Sequence, residues 1–200
     1  MQKGLFISAV LLSLSTQSFA QTDYELTPFA GYRLGGDFDI TVNDNTSSLD
    51  LENQSSYGAV FAWPFDNSRQ GEILFSHNKT QFEQQAAIDT ELSVSYLHVG
   101  GNVPLTSGDI PILLSGGIGA TFLSPSSDTY DSETKLSGNL GLSTKVKLAD
   151  NLNFVFGGRV YATLFNDEGA FLCNESECSL SVSGDLWIQS EIYSGISFTF

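Results

Sequence analysis

The last fifteen residues of the chain, Leu186 to Phe200, alternate between apolar and polar side chains. From Ile188 onward the even positions are mostly apolar, whereas the odd positions include Gln189 and Glu191. Successive side chains of a β-strand point to opposite faces, so this pattern predicts a strand with one apolar and one polar face. Such a strand must cover its apolar face with lipid or with a protein core.

Seven earlier segments show a similar alternation, which makes eight predicted strands. Polar loops follow the first, third, fifth and seventh strands, and turns of a few residues follow the second, fourth and sixth. Each strand is long enough to cross a bilayer when tilted. The predicted strands span 24–33, 54–63, 71–82, 90–105, 110–123, 134–148, 152–166 and 186–200.

An even number of strands joined by alternating loops and turns is typical of a bacterial outer-membrane barrel. A soluble β-sandwich or lipocalin would also alternate, but it would bury the apolar face, and no rule would shorten every second connection. We therefore predict an all-β fold: an eight-stranded antiparallel up-and-down transmembrane β-barrel. It would have four longer extracellular loops and three short periplasmic turns.

Two strands contain signs of irregularity. Pro28 cannot donate a ladder hydrogen bond, which predicts a bulge or local irregularity in the first strand. In the fourth strand Leu92 and Val94 have one parity and Leu97 and Val99 the other. A bulge near Tyr96 or His98 would reconcile them.

The first loop, 34–53, is predicted to contain a β-ribbon at its base.

The first twenty residues have the features of a secretory signal peptide. Lys3 supplies the positive charge, Gly4 to Leu14 an apolar core, and Ser18-Phe19-Ala20 a small-residue cleavage site. The apolar core is too short to span a bilayer as a helix. We expect cleavage after Ala20, which leaves residues 21–200 as one domain.

Acidic residues are concentrated in the predicted loops. The chain has 23 acidic and 8 basic residues and a net charge of −15, and fifteen of the acidic residues lie in the loops 34–53, 83–89, 125–133 and 167–185. This charge argues against nucleic acid as a partner. A solvated, self-repelling surface explains it. The alternative is loop-bound Ca²⁺ or Mg²⁺, although Asp37, Asp39, Asp44 and Asp50 lack the regular spacing of a calcium loop. We expect no cofactor.

The only two cysteines, Cys173 and Cys178, lie in the last predicted loop. An exported protein meets an oxidising compartment, which favours a disulfide over free thiols. Two cysteines without a neighbouring histidine make a poor zinc site. The disulfide would protect the loop tip from proteolysis, and a partner-binding role for this loop is the alternative.

The polar faces of the predicted strands carry charges that would point into the barrel. Eight strands enclose only enough space for side chains, so charges there must pair or hydrate. We expect Arg159 and Glu191 to belong to a paired network that plugs the lumen, with a narrow or gated polar path as the alternative. The predicted interior charges are Glu25, Arg33, Glu72, Glu91, Lys135, Lys145, Lys147, Arg159 and Glu191.

Ser76 and His77 are the residues that most suggest a nucleophile beside a base. Adjacent residues on a strand point to opposite faces, so these two cannot pair directly. We expect His77 to lie near lipid headgroups and His98 to be structural. The chain has no glycine-rich phosphate loop. We predict no catalytic residue and no enzymatic activity.

Several stretches resemble a group of porin-like proteobacterial outer-membrane β-barrels. They are Thr27–Phe38 (TPFAGYRLGGDF), Tyr96–Pro104 (YLHVGGNVP), Ser137–Leu148 (SGNLGLSTKVKL) and the last twenty residues (SVSGDLWIQSEIYSGISFTF). The mature chain looks like the small barrels of OmpA/OmpW type. The resemblance implies an outer-membrane location and contact with outer-membrane lipids and lipopolysaccharide. It also implies that the barrel-assembly machinery reads Phe198 and Phe200 as an insertion signal.

Together these features predict a non-enzymatic integral outer-membrane protein with a filled or narrow lumen. Its role would be in envelope structure or surface interaction. The alternative is a narrow porin or OmpW-like conduit for small hydrophobic molecules, with lipid A modification less favoured. A wall opening would need a kink or bulge and an apolar lumen pocket, for which Pro28, Phe29 and the fourth strand are the only signals.

Overall fold

Twelve β-strands form the described part of the computed structural model. It describes residues 24–42, 45–50, 52–66, 68–81, 91–127, 131–165, 170–173, 178–181 and 186–200. Only the backbone is described at 37–42, 45–50, 170–173 and 178–181. The predicted signal peptide and its cleavage site lie outside these residues. No helix in the described ranges is long and apolar enough to cross a membrane.

The strands follow the alternating segments of the sequence. In chain order they are β1 (Glu25–Leu34), β2 (Asp37–Val42), β3 (Asn45–Asp50), β4 (Gln54–Pro64), β5 (Gln70–Gln81), β6 (Glu91–Pro104), β7 (Ile112–Pro125), β8 (Glu133–Ala149), β9 (Leu152–Leu164), β10 (Ala170–Cys173), β11 (Cys178–Ser181) and β12 (Leu186–Thr199).

Eight of these strands close into one antiparallel barrel. The order around the barrel is β1-β12-β9-β8-β7-β6-β5-β4, and β1 closes the sheet by pairing with both β12 and β4. The predicted eight-stranded up-and-down barrel is therefore confirmed.

The remaining strands form two hairpins, β2 with β3 and β10 with β11. The first hairpin is the β-ribbon predicted within 34–53. Gly36 precedes it with a φ of 76°, and a Cβ there would lie 2.4 Å from the carbonyl oxygen of Ile188. A residue with a side chain would be strained at this position, so glycine allows the chain to turn out of the barrel.

The two ends of the barrel differ in their connections. At the turn end, residues 65–69, 105–111 and 150–151 join consecutive barrel strands, and at the loop end residues 35–53, 82–90, 126–132 and 165–185 do so. The connections 105–111 and 126–132 have equal length, so the alternation in length is not strict. Both hairpins belong to connections at the loop end.

The barrel presents its apolar side chains outward. Ile118, Leu136, Tyr57 and Ile192 are all more than half exposed, and similar exposed residues occur on every barrel strand. The alternate positions are buried and include many polar groups. Exposed apolar surface on this scale needs a cover, and the apolar-out, polar-in pattern is that of a transmembrane barrel.

The ladders are regular apart from one bulge between Lys147 and Ala149 in the pairing of β8 with β9. The bulge predicted near Tyr96 or His98 is wrong, because β6 keeps one register with both of its neighbours. At Pro28 the pairing with β12 is interrupted without a change of register. This is a local irregularity and not a bulge.

Candidate functional site: the barrel interior

A buried ion pair lies in the interior, between residues on the adjacent strands β1 and β12. The Arg33 and Glu191 side chains are both fully buried, with Nη2 and Oε1 2.8 Å apart. Arg33 also donates to Asn78 Oδ1 at 2.6 Å and to the Ser76 hydroxyl, and Tyr161 donates to Glu191 Oε2 at 2.7 Å. The pair thus has the additional hydrogen bonds that a buried ion pair requires.

Two stacked tyrosine rings hold the Arg33 guanidinium. The rings of Tyr96 and Tyr161 lie 4.1 Å apart, and the guanidinium carbon lies 4.9 and 4.8 Å from their centres. Such cation–π contacts are strongest where water is excluded. The Tyr96 hydroxyl donates to Gln189, which donates in turn to the carbonyl of Gly35.

Arg159 joins this network from β9, on the other side of Glu191. Its Nη1 lies 3.6 Å from Glu191 Oε2, which makes it the weaker partner of that carboxylate. Its guanidinium carbon lies 4.6 Å from the Tyr193 ring centre and 5.7 Å from that of Phe29. The structure therefore brings Arg159 and Glu191 together. It also shows that Arg33, on β1, is the nearer partner of Glu191.

Inward glycines provide space for these large side chains. A Cβ on Gly58 would lie 2.6 Å from Phe29 Cζ, and one on Gly157 would lie 2.8 Å from the Tyr193 hydroxyl. Both distances are well below van der Waals contact. The aromatic side chains thus occupy the volume that a side chain at either glycine would need, and the lumen is filled at this level.

His98 lies in the same layer, from β6. It is buried, with Nε2 2.8 Å from the Ser137 hydroxyl and Nδ1 2.7 Å from the Asn139 amide nitrogen. Since the amide must donate to Nδ1, the proton lies on Nε2 and the serine hydroxyl accepts it. These two hydrogen bonds join His98 on β6 to β8 in the interior.

The layer above this one, toward the loop end, contains a cluster of buried apolar side chains. Its residues come from β6, β7 and β12 and from the residue after β9. This layer explains why both faces of β6 are apolar: Leu97 and Val99 face outward, while the opposite parity fills the interior. The buried members are Leu92, Val94, Leu123, Phe165 and Trp187.

The interior toward the turn end is polar and contains a small cavity of about 40 Å³. Lys145 and Glu25 form an ion pair there, and Asn102 donates to Glu72 at 3.2 Å. Arg159 lines the cavity from above. This volume has room for about three to four water molecules, at about 10–15 Å³ for each, so the charges can be hydrated.

Two predicted interior charges lie elsewhere, so the prediction is wrong for Glu91 and Lys147. Glu91 is exposed at the loop end of β6. Lys147 is exposed at the turn end of β8, where it pairs with Asp150 at 2.9 Å. Lys135 lies near the loop end and pairs with Glu133 at 2.7 Å.

Ser76 and His77 point to opposite sides of the wall. Ser76 is buried within the Arg33 network, whereas His77 lies on the outer wall with Nδ1 2.8 Å from the hydroxyl of Ser95. The ring of Tyr57 lies 5.2 Å from that of His77. The sequence alone does not predict the contact between His77 and Ser95, because the contact depends on the register between β5 and β6.

Other predicted sites are described only in part. The backbone places Cys173 directly opposite Cys178 in the pairing of β10 with β11, but their side chains lie outside the described residues, so the disulfide stays a prediction. The acidic side chains of the first hairpin lie outside them too. Among the side chains described, no group of three or more His, Cys, Asp or Glu could hold a metal ion.

At the turn end the last residue is joined to the first strand. Phe200 exchanges two backbone hydrogen bonds with Tyr24, of 3.0 and 2.9 Å, and both Phe198 and Phe200 are exposed. Their exposed rings extend the apolar outer wall. The reading of these rings by an assembly machinery stays a prediction.

No protein-family model and no curated protein sequence matches the chain. Solved structures do resemble it. Neisserial surface protein A shares 9% identity at a TM-score of 0.59, with 89% of this chain and 97% of that chain covered. The outer membrane protein OprG from Pseudomonas aeruginosa shares 9% identity at a TM-score of 0.60, with 90% and 96% covered.

A third likeness is to the outer membrane protein AlkL, whose structure was determined in lipid bilayers. It shares 11% identity at a TM-score of 0.56, with 100% of this chain and 97% of that chain covered. Identities this low show a shared fold and no more. The chain is an eight-stranded antiparallel β-barrel of the kind found in outer-membrane proteins.

Proposed function

We propose that this chain is a non-enzymatic outer-membrane barrel whose lumen is closed, with a role in envelope structure or surface interaction. The observation that carries the proposal is the fully buried Arg33–Glu191 pair, packed against Tyr96 and Tyr161. Five strands contribute side chains to this cluster, and Phe29 and Tyr193 occupy the space beside the inward glycines Gly58 and Gly157. A solute would have to displace a paired, desolvated cluster.

The orientation follows from the connections. In outer-membrane barrels the short turns face the periplasm and the longer loops face outward. The turn end therefore lies in the periplasm, and the two hairpins and the acidic loops lie on the cell surface. Their negative charge keeps this surface hydrated.

The absence of enzymatic activity is supported by the local geometry of both histidines. His98 is enclosed in the lumen, with Nδ1 hydrogen-bonded to the Asn139 amide and Nε2 to the Ser137 hydroxyl. His77 contacts Ser95 on the outer wall, but no carboxylate among the described side chains is bonded to its ring. A serine nucleophile normally needs a base that a third group orients.

Insertion and anchoring belong to the same proposal. The aromatic rings of Phe198 and Phe200 serve as the insertion signal for the barrel-assembly machinery, and the exposed apolar wall contacts outer-membrane lipids. The exported N-terminus, residues 1–20, acts as a signal peptide that is removed on the way.

Solute uptake into liposomes tests the closed lumen. Liposomes that contain the wild-type barrel should exclude small sugars as protein-free liposomes do. Replacing both Arg33 and Glu191 by alanine should admit them, since the two side chains that cross the lumen are then absent. Sugar uptake by the wild-type protein at a porin-like rate would reject the proposal.

A second candidate function, a conduit for small hydrophobic molecules, is favoured by one feature of the wall. An apolar groove of about 440 Å³ lies on the outer surface, and Ser143 lines both this groove and the interior cavity. Gly157 and Gly158 form the floor of the groove, so the wall is thin there. The exposed groove residues are Ile112, Leu142, Phe156 and Ile192.

Transport of a hydrophobic dye separates the two functions. A conduit through this wall predicts dye uptake by wild-type liposomes and its loss in Gly158→Leu, which fills the groove. A closed structural barrel predicts the same slow uptake in both proteins. Fast uptake that Gly158→Leu abolishes would replace the first candidate by the second.

A further inference from the structure

A polar patch interrupts the apolar outer wall near the loop end of β4, β5 and β6. We call it the outer polar patch and define it as Tyr57, His77, Lys79, Ser93 and Ser95. In the ladder Tyr57 lies opposite His77, His77 opposite Ser95, and Lys79 opposite Ser93. The five residues therefore form one continuous surface across three strands.

The burial pattern of β5 shows that this patch faces outward. Ser76, Asn78 and Thr80 are buried in the interior. His77 and Lys79 alternate with them and so point to the opposite side. One step toward the turn end, Phe75 and Leu97 form an exposed apolar pair on the same wall. The patch thus lies at the border between the apolar wall and the loop end.

The patch is a preformed set of hydrogen-bonding groups. His77 Nδ1 lies 2.8 Å from the Ser95 hydroxyl, and the Tyr57 ring packs 5.2 Å from the imidazole while remaining 60% exposed. No partner of His77 Nε2 lies among the described side chains. The ring is thus held by Ser95 and Tyr57 on the outer side of β5, where it is half-buried.

Lys79 gives this patch a positive charge that the surrounding surface lacks. Of the other described cations, Arg33, Lys145 and Arg159 are in the lumen, Arg69 and Lys147 are at the turn end, and Lys135 pairs with Glu133. Lys79 forms no ion pair with a described side chain, not even with Glu91 at the end of the neighbouring strand. It is the single unpaired cation on the described outer wall.

We propose that the outer polar patch binds the phosphorylated headgroup of an outer-leaflet lipid, an inference that rests on the proposed outer-membrane location. Lysine binds phosphate as a compact point charge, and hydroxyl and imidazole groups supply neutral hydrogen bonds to the same oxygens. Tyr57 suits a membrane interface because its ring is apolar and its tip polar. The acyl chains of the lipid lie along Phe75 and Leu97.

Native mass spectrometry of the full barrel in detergent micelles tests this site. The probes are lipid A with two phosphates, lipid A with one phosphate, and phosphatidylcholine. Lys79→Gln should bind bisphosphorylated lipid A about fivefold more weakly than wild type, the change expected for one basic residue at a charged membrane surface. Lys147→Gln is the matched control, because it removes an exposed lysine at the turn end, and it should bind like wild type.

The lipid series adds an independent readout. Wild type should prefer bisphosphorylated over monophosphorylated lipid A and both over phosphatidylcholine, and Lys79→Gln should lose most of this preference. His77→Phe should weaken binding less than Lys79→Gln, because it keeps the charge. The heat-dependent shift in SDS mobility confirms that each variant is folded.

Unchanged binding in Lys79→Gln, equal losses in both lysine variants, or equal binding of phosphatidylcholine would each overturn the site. Failure of the proposed location has a different signature, since the native chain would then be recovered outside the outer-membrane fraction. The two failures are therefore distinguishable.

Discussion

Arg33 and Glu191 are direct cross-strand partners on the two strands that close the barrel, and their side chains meet 2.8 Å apart in its interior. Arg159 lies opposite the same glutamate on the other neighbouring strand. One row of three adjacent strands thus carries the charges that cross the lumen. The charged cluster therefore lies at the seam where the first and last barrel strands pair.

Arg33→Met should lower the free energy of unfolding by about 3–5 kcal/mol, because it leaves the buried Glu191 carboxylate without its nearest cation. Lys147→Met is the control, since its exposed pair with Asp150 is worth less than about 1 kcal/mol. Urea unfolding in lipid vesicles, followed by SDS mobility, gives both values. Equal changes in the two variants would contradict the role assigned to the interior pair.

Gly58→Ala should destabilise the barrel by about 1–3 kcal/mol through overpacking, because the added Cβ would meet the Phe75 carbonyl oxygen at 2.1 Å and the Phe29 ring at 2.6 Å. Gly158→Ala is the control, with its nearest contact at 3.7 Å. The same unfolding assay measures both variants. If Gly58→Ala is as stable as Gly158→Ala, the lumen is not filled at that level.

Alternation predicted the strand positions and the outward face well, because both depend on a period of two along each strand. The partner of Glu191 could not be predicted in the same way. Arg33 lies 158 residues away along the chain, and the register that joins them is set by closure of the whole barrel. The sequence predicts only pairs between barrel strands that follow one another along the chain, such as Arg159 with Glu191.

The error in β6 has a different origin. If every inward residue were polar, apolar residues of both parities in one strand would require a bulge. The interior is in fact apolar near the loop end, where Leu92 and Val94 are fully buried, and a regular strand satisfies both faces. Lys147 keeps the regular register of β8 but lies at its turn end, where the side chain is exposed. Alternation gives the side of the strand to which a residue points but not where the enclosed interior ends.

The Asp66 carboxylate in the turn 65–69 should titrate well below its ordinary range. A hydrogen bond from the Arg69 side chain, with backbone N–H donors from Ser68 and Arg69, lowers the pKa of Asp66 from 3.8 to about 2. Because the folded pKa is depressed, the stabilisation by this turn is complete above about pH 4. It is lost as the pH falls toward 2.

Carboxylate chemical shifts measured by NMR across this pH range test the turn. Arg69→Gln should move the midpoint for Asp66 back toward 3.8, because it removes the largest stabilising contact. A wild-type midpoint at the ordinary value would show that the turn lacks this geometry in solution.

The register of β10 with β11 places Cys173 opposite Cys178, and we expect these cysteines to form a disulfide in the exported protein. The wild-type protein, isolated from cells and unfolded without a reductant, should not react with iodoacetamide. After reduction its mass should increase by two alkyl groups. Cys173→Ser should react once without reduction and should make the last loop more sensitive to protease. Two reactive thiols in the untreated protein would contradict the prediction.

The central claim is that the barrel has no open path along its axis. Single-channel recording of the purified, folded protein in planar bilayers tests this claim most directly. The buried Arg33–Glu191 pair predicts no steady conductance for the wild-type protein and channel openings only when both side chains are removed. A stable open channel in the wild-type protein would contradict it, whatever the conductance of the double alanine variant.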